Sequence, residues 1–376
     1  MEIIFWASFF GIFYAYLGYP LLLFALGKIV VRRKRQYDPD PDYKPSVSII
    51  LPVFNEEKVI ENKIKNTILL DYPRDRFEVL IISDGSTDRT RQIVQRNLDQ
   101  NIKYFELPER SGKAAALNLG LKKARNEIIV YSDASIMLDT HALKNIVKRF
   151  QEKNIGCISG EDHIRESGGE GFYGKYELWL RNLESRVHSI VGASGSFYAQ
   201  RRTLCSPFQE GMAPDFLSVL ATVEKGYRAV TEPSAFGIMT SLKSSSDEFN
   251  RKVRTLIRGM AALFYKKYLL NPIKYGLFSF ELLSHKIMRW LVPFFLISLL
   301  LSNLFLLDSS IYLLAFITQV IFYLLAVSSM SKIINIHEKI YVKVPLYFTV
   351  VNAAILYAWV KYLSGIKQDI WDPSRR

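Results

Sequence analysis

Val47-Ser48-Ile49-Ile50-Leu51-Pro52-Val53 is a short, almost wholly apolar run, closed by the polar Asn55-Glu56-Glu57. Its length and β-branched content read as a buried strand. Outward from it the pattern recurs. Phe77 to Ser83, Ile102 to Glu106 and Glu127 to Ser132 read as strands, and Lys58 to Leu70, Arg89 to Leu98 and Ala114 to Ala124 as helices between them. Strands separated by helices of that length predict parallel βαβ units, hence an α/β fold. In open sheets of this kind ligands collect at the carboxyl ends of strands. Asn55-Glu56, Asp84 and Asp133 all fall there.

The remainder is dominated by a bilayer pattern. Of 376 residues, 49% are hydrophobic, and Ile3 to Val31 form one long apolar run ending at Arg32-Arg33-Lys34-Arg35. A cleaved signal peptide has its basic block in front and a shorter core, so a retained anchor is expected. The positive-inside rule then puts the following domain in the cytosol. Met288 to Leu307, Ile311 to Met330 and Val344 to Leu363 each suit a crossing helix. The Asp308-Ser309-Ser310 link lacks basic residues and belongs outside, whereas Lys332, His337, Lys339 and Lys343 mark a cytosolic link. Parity creates a conflict. Three late crossings would leave the tail with Lys367, Arg375 and Arg376 outside, against its charge. Either one late segment is re-entrant or the tail breaks the rule. The expected organisation is an N-terminal membrane helix (1–31), a basic and Pro/Asp-rich linker (32–45), a catalytic domain (46–243), amphipathic interface helices (244–287), about three membrane helices (288–364) and a tail (365–376).

The net charge of +13 lacks the clustered basic motif of a nucleic-acid-binding fold, and much of it flanks apolar segments. Anionic lipid head groups are the expected partner. Cys157 and Cys205 are too few for a disulfide framework or zinc site. Between Phe249 and Phe264 the residues alternate at helical spacing. Arg251, Arg254 and Arg258 fall within about 60° of one another, opposite Phe249, Val253, Leu256, Ile257, Met260 and Phe264. Such a helix either lies on a membrane with its arginines on lipid phosphates, or turns them toward the domain, where they would hold a diphosphate.

Four phrases carry a family resemblance: Pro52-Val53-Phe54-Asn55-Glu56-Glu57, Ser83-Asp84-Gly85-Ser86-Thr87-Asp88, Ser132-Asp133-Ala134-Ser135 and Pro214-Asp215-Phe216. In order and approximate spacing, from Ser46 to about Gly259, the chain resembles the membrane-bound family 2 glycosyltransferases, including exopolysaccharide, cellulose and hyaluronan synthases. The resemblance implies a GT-A fold, a Rossmann-like α/β domain, flanked at both ends by transmembrane helices. It implies that Asp84 meets the nucleotide base, with Glu56 closing the same pocket, although Ser86, Thr87 and Asp88 also suit a helix-capping loop. Arg110-Ser111-Gly112-Lys113 resembles the family's basic turn, so Lys113 would meet the donor diphosphate. Asp133 corresponds to the first acid of the family's metal motif, implying Mg2+ or Mn2+; Ser135 stands in place of the second acid.

Asp215 sits where the family keeps its general base, which takes the acceptor proton; Pro214 replaces an acid beside it. Arg254 matches the arginine of a motif in processive synthases, while Arg251 and Thr255 replace its glutamine and tryptophan. The diphosphate role therefore carries over to the Arg251, Arg254 and Arg258 stripe better than acceptor stacking does. Gly192 to Arg202 resembles the acceptor-side segment, with Gly192, Ser194 and Gly195 facing the acceptor, or else marks a bend in a packed strand. Ser284 to Trp290 looks like the phrase with which exopolysaccharide synthases approach the membrane. Trp371 is an interface anchor or a cover over the active site. The implied reaction is inverting transfer from a nucleotide sugar, usually a UDP-sugar, to a growing polysaccharide or a lipid-linked acceptor, giving a β-linkage. A single addition to a lipid acceptor is the alternative, and Ser135 and Pro214 keep open an inactive sugar-nucleotide-binding scaffold.

Overall fold

The computed structural model describes residues 1–31, 40–164, 169–239, 245–330 and 340–366. The strands are β1 (Val47–Val53), β2 (Phe77–Ser83), β3 (Ile102–Glu106), β4 (Ile128–Ser132), β5 (Met137–Leu138), β6 (Ile155–Ile164), β7 (Phe197–Arg201) and β8 (Arg228–Met239). The membrane-side helices at the N-terminus are α1 (Glu2–Phe13) and α2 (Tyr19–Val31). Those of the domain are α3 (Ile60–Ile68), α4 (Thr90–Arg96), α5 (Lys113–Lys123), α6 (Ala142–Lys148), α7 (Gly169–Val187), α8 (Pro214–Glu224) and α9 (Ser245–Tyr265). Then come the short α10 (Pro272–Tyr275) and α11 (Leu277–Leu282), followed by α12 (Met288–Leu304), α13 (Ser310–Met330) and α14 (Ile340–Leu363).

The strands form one sheet in the order β3-β2-β1-β4-β7-β6-β8-β5. Its first half is parallel, as the βαβ pattern predicts, with boundaries close to the expected ones. Every residue of β1 and β2 is buried, because helices cover both faces. The strand period of two divides them between two cores. Ile50, Leu80, Ile82 and Ile129 face α5 and α8. Ile49, Leu51, Val79 and Ile81 face α3, α4 and α6. The second half is mixed: β7 runs antiparallel to β4 and β6, and β8 parallel to β6. Sequence alone did not reveal those strands.

Four helical runs are long and apolar enough to cross a membrane: residues 2–29, 277–304, 310–328 and 342–363. The first is not one uniform helix. A π turn at Tyr14–Gly18 joins α1 to α2. α1 packs on α12, where a Cβ at Gly11 would stand 2.8 Å from Phe295. α2 instead packs its Tyr19 and Leu23 on Leu180, Leu183 and Val187 of α7.

α14 packs on both the other membrane-side helices and the domain. α12 and α13 are antiparallel neighbours, with Gln319 Nε2 donating to Leu296 O at 3.3 Å. Phe322, one turn on, therefore stands opposite Pro293. Phe348 of α14 meets Phe322, while Trp359 Nε1 donates to Trp290 O and its ring meets Phe294. Phe348 thus meets α13 and Trp359, about 16 Å further along the helix, meets α12. α14 also packs on the domain. Its Tyr347 packs on Tyr173 of α7, and its Tyr357 and Tyr362 on Phe249 and Phe264 of α9. The apolar side of α9 is consequently covered by protein: Val253, Ile257 and Met260 share a core with Ala354, Ile355 and Ala358.

α5 carries Lys113 to the site and is held close to β1 by Gly120, where a Cβ would fall 2.5 Å from Ile50 Cγ2. Gly120→Ala should therefore lower the unfolding free energy by about 1–3 kcal/mol through overpacking. Thermal unfolding of the detergent-solubilised protein checks this, and an unchanged midpoint would refute the close approach.

Candidate active site

The loops after β1 and β2 are fastened together first. Asn55 is the one non-glycine residue at positive φ among the described residues, at 52°. It accepts from the Thr87 N–H at 2.8 Å through Oδ1. Glu56 donates its N–H to Thr90 Oγ1 at 2.8 Å, and Glu57 its own to Asp88 Oδ2 at 3.0 Å. Asp88 Oδ1 also accepts from the Thr90 N–H, the first of α4, at 2.9 Å. Glu56 itself is half-buried at the edge of the loop.

Asp84 is 1% exposed, and its carboxylate accepts the N–H groups of Ser111 at 2.7 Å and Gly112 at 2.9 Å. These bonds fix the basic turn and leave the carboxylate further acceptor capacity. Burial raises its pKa, although the two N–H donors and Arg110 pull it down. Gly85, at φ 67°, is required because a Cβ would stand 2.8 Å from the Arg110 nitrogen. The Arg110 guanidinium stacks 4.1 Å from the Phe54 ring centroid.

The turn delivers Lys113 as the first residue of α5. Its Nζ donates to Asp133 Oδ1 at 2.5 Å and to Gly195 O at 3.3 Å. Asp133 ends β4, and its N–H donates to Ser196 O at 3.0 Å because β4 and β7 pair Ser132 with Phe197. Behind it lies Lys63 of α3, which sequence reading missed. A lysine in an otherwise amphipathic helix carries no signal of burial, yet Lys63 is 1% exposed and donates to Ser132 Oγ at 2.8 Å and Ile136 O at 2.6 Å. Burial pushes its ammonium down to about 7, against the pull of Asp133.

Asp215 opens α8, where the helix dipole favours a carboxylate. Asp133, Lys113, Gly195 and Asp215 line one cavity, floored by Tyr131 and Tyr198 stacked at 4.5 Å. A Cβ on Gly195 would stand 3.9 Å from Asp215 Cγ. Burial raises the Asp215 pKa, while Lys113, its own N–H, Lys286 and Arg258 lower it. Arg258, the buried member of the α9 stripe, is thus beside Asp215, and its carbonyl accepts the Ala213 N–H at 3.3 Å. Arg251 and Arg254 are half-buried on the preceding turns.

On the acceptor side the residues divide. Gly195 borders the cavity. Gly192 lies beside Lys286, whose Nζ would be 3.6 Å from a Cβ there. Ser194 is corrected: it is 3% exposed, and its hydroxyl donates to Asp162 Oδ1 at 2.6 Å while accepting from the Ser196 and Phe197 N–H groups at 3.1 Å. It shapes the bend and has no free face for an acceptor. Trp371 lies outside the described residues.

A hard divalent cation is commonly held by one or two carboxylates, with substrate phosphates and water completing the shell. Among the described residues no group of three metal-ligating side chains converges. Asp133, partly exposed on the cavity wall with Lys113 beside it, fits a site of the one-carboxylate, phosphate-completed kind.

Comparison with known proteins follows the same lines. Residues 48–204 match the family described as Glycosyl transferase family 2. The poly-beta-1,6-N-acetyl-D-glucosamine synthase of Staphylococcus aureus is 31% identical over 130 residues, 34% of this chain and 31% of that protein. The beta-monoglucosyldiacylglycerol synthase of a Nostoc species is 33% identical over 215 residues, 54% of this chain and 45% of that protein. The chain thus spans less than half the length of these curated relatives. Among solved structures, the Pyrobaculum calidifontis mannosyltransferase PcManGT, in complex with GDP-Man and Mn2+, superposes with a TM-score of 0.73 at 26% identity. That match covers 95% of this chain and 98% of the other.

Two outcomes are expected. Asp84→Ala strands the Ser111 and Gly112 N–H groups at a cost of about 1–3 kcal/mol, and raises donor KM more than it lowers kcat; the reverse split in steady-state kinetics would sink the turn-fixing role. Asp215 has a raised folded pKa, so its stabilisation is present below the unfolded pKa and is lost as pH rises through the folded one. At neutral pH its charge is a cost. Asp215→Asn should raise the unfolding midpoint at pH 7, with the gain vanishing toward about pH 3.

Proposed function

Because residues 48–204 form a family 2 glycosyltransferase domain, we propose that the chain is a membrane-embedded inverting glycosyltransferase acting on a nucleotide sugar. The observation that carries this is the single cavity holding Lys113, Asp133, Gly195 and Asp215. A cation and a helix N-terminus on one wall suit the donor diphosphate. A carboxylate on the other suits an acceptor hydroxyl. That hydroxyl attacks the anomeric carbon as Asp215 takes its proton, and the bond to the nucleoside diphosphate breaks on the opposite face. Inversion of an α-linked donor gives a β-linked product.

Lys113 and the start of α5 stabilise the departing diphosphate, and the α9 arginines, Arg258 foremost, supply further positive charge. Electrostatic stabilisation of this kind is commonly the largest catalytic contribution. A Mg2+ or Mn2+ ion held by Asp133 would add charge neutralisation at the leaving group. UDP-sugars are the expected donor class. GDP-mannose belongs in the same screen because PcManGT was captured with it.

Among the described residues four helical runs are long and apolar enough to cross a membrane, too few to enclose a path for a polymer. This favours one addition to a lipid-borne acceptor over extrusion of a polysaccharide. An inactive scaffold is disfavoured by the assembled base and diphosphate walls.

The test screens labelled UDP-sugars and GDP-mannose for turnover in proteoliposomes, with and without Mn2+ or Mg2+, and sizes the product. One added sugar is expected; a ladder would replace this acceptor reading with polymerisation. Asp215→Asn should keep donor binding and lower kcat by about 10²–10⁴-fold. Turnover should fall as pH drops through a pKa above the ordinary carboxylate value, since only ionised Asp215 takes the proton. Near-normal turnover in the variant would overturn the assignment.

A further inference from the structure

We propose that Lys286 is the acceptor-side anion site, recognising the phosphate of a lipid-linked sugar whose hydroxyl lies at Asp215. This inference rests on the glycosyltransfer reading above and deepens it to an acceptor class.

Lys286 reaches the site from the membrane side. It lies in a π turn at Leu283–Ile287 that leads directly into α12. Such turns insert a residue into a helix, re-aim the side chains around it and recur at functional sites. Here the re-aimed ammonium comes to rest beside Gly192 and 5.3 Å from the Phe216 ring centroid, next to the base. The cation–π contact satisfies it only in part. Lys286 makes no hydrogen bond or ion pair with any described residue.

The nearby carboxylates do not supply one. Glu177 is paired with Arg289 and with His285 Nε2 at 3.3 Å. Glu184 accepts from Tyr19 OH at 2.8 Å and pairs with His285 Nδ1 at 2.6 Å. The remaining carboxylate near Lys286 is Asp215 itself, which the reaction requires to face an acceptor. A half-buried ammonium without a hydrogen-bonding partner is costly, and a bound anion removes that cost.

Position separates this cation from the donor. Lys113 and Asp133 line the cavity with Asp215, whereas Lys286 lies outside that lining, in the turn that leads into α12. Gly195 faces Asp215 and Gly192 faces Lys286, within one segment. Their separation is at most about 10 Å of extended chain. One sugar residue, hydroxyl at one end and anomeric phosphate at the other, bridges that interval. The apolar tail then continues toward α12 and the lipid.

The experiment uses the full chain in nanodiscs, with two probes: a phytanyl diphosphate-linked N-acetylglucosamine and the neutral decyl glycoside of the same sugar. The intact protein should bind the diphosphate probe about 10- to 100-fold more tightly than the neutral one, the worth of a charge-assisted hydrogen bond. Lys286→Gln should erase that preference and Lys286→Arg should retain it, with UDP and GDP affinity unchanged in both. Equal binding of the two probes by the intact protein, or a preference that survives Lys286→Gln, overturns the proposal. Weakened nucleotide binding in Lys286→Gln overturns it as well, by assigning the cation to the donor. Donor turnover is measured in the same samples. Its absence in the intact protein would sink the glycosyltransfer reading, whereas probe binding reports on Lys286 independently.

Discussion

The antiparallel pairing of β7 with β4 is the constraint on which the site depends. Parallel strands β1, β2 and β4 bring Asn55, Asp84 and Asp133 to one edge of the sheet, as any doubly wound half does. What closes that edge into the cavity is the register Ser132↔Phe197, continued by the bond from the Asp133 N–H to Ser196 O. It carries Gly195 opposite Asp133, and Lys113 closes the seam by bonding to both. A one-residue slip of β7 would reverse its faces and withdraw Gly195 from Asp215. The donor wall is local in sequence; the acceptor wall is supplied by register.

The electrostatics of the cavity trade stability against chemistry. Asp215 is surrounded by Lys113 from α5, Arg258 from α9 and Lys286 from the π turn, three elements distant in sequence. Burial drives its pKa upward, and the three cations restrain the rise. A base must be ionised at working pH yet still attract a proton, so neither influence is free to dominate. The same cations disfavour one another, so a repulsion is built into the protein around Asp215.

Much of the donor half was legible because its signals are local. Strand runs, Gly85 beside Asp84, and Asp133 at a strand end follow from periodicity and turn chemistry. What stayed hidden has a common physical cause. Asp84 and Ser194 hold backbone N–H groups through their oxygens, and burial is decided by chain segments far away. Lys63 and Lys286 sit in helices whose sequence gives no reason for a lysine. Their partners, Ile136 O and the Asp215 cavity, are set by tertiary packing. The packing of α14 on α9 was hidden for a similar reason: hydropathy reports that Val342–Leu363 suits lipid but not which protein face it also covers.

The junction of domain and membrane helices makes position at the cavity depend on position in the bilayer. Tyr19 from α2, Glu177 and Glu184 from α7, and His285 and Arg289 around the π turn form one buried chain of hydrogen bonds and ion pairs. Isolated buried charges are expensive, and a closed set of partners is stable only while all members stay in register. Glu184 and His285 thus lock α7 to the helix that carries Lys286. Because α7 precedes the bend at Ser194 and α12 descends beside α1, a shift of the membrane helices would strand buried charge before it altered the site. The cost of that stranding holds Lys286 at a fixed position relative to α7 and the Asp215 cavity.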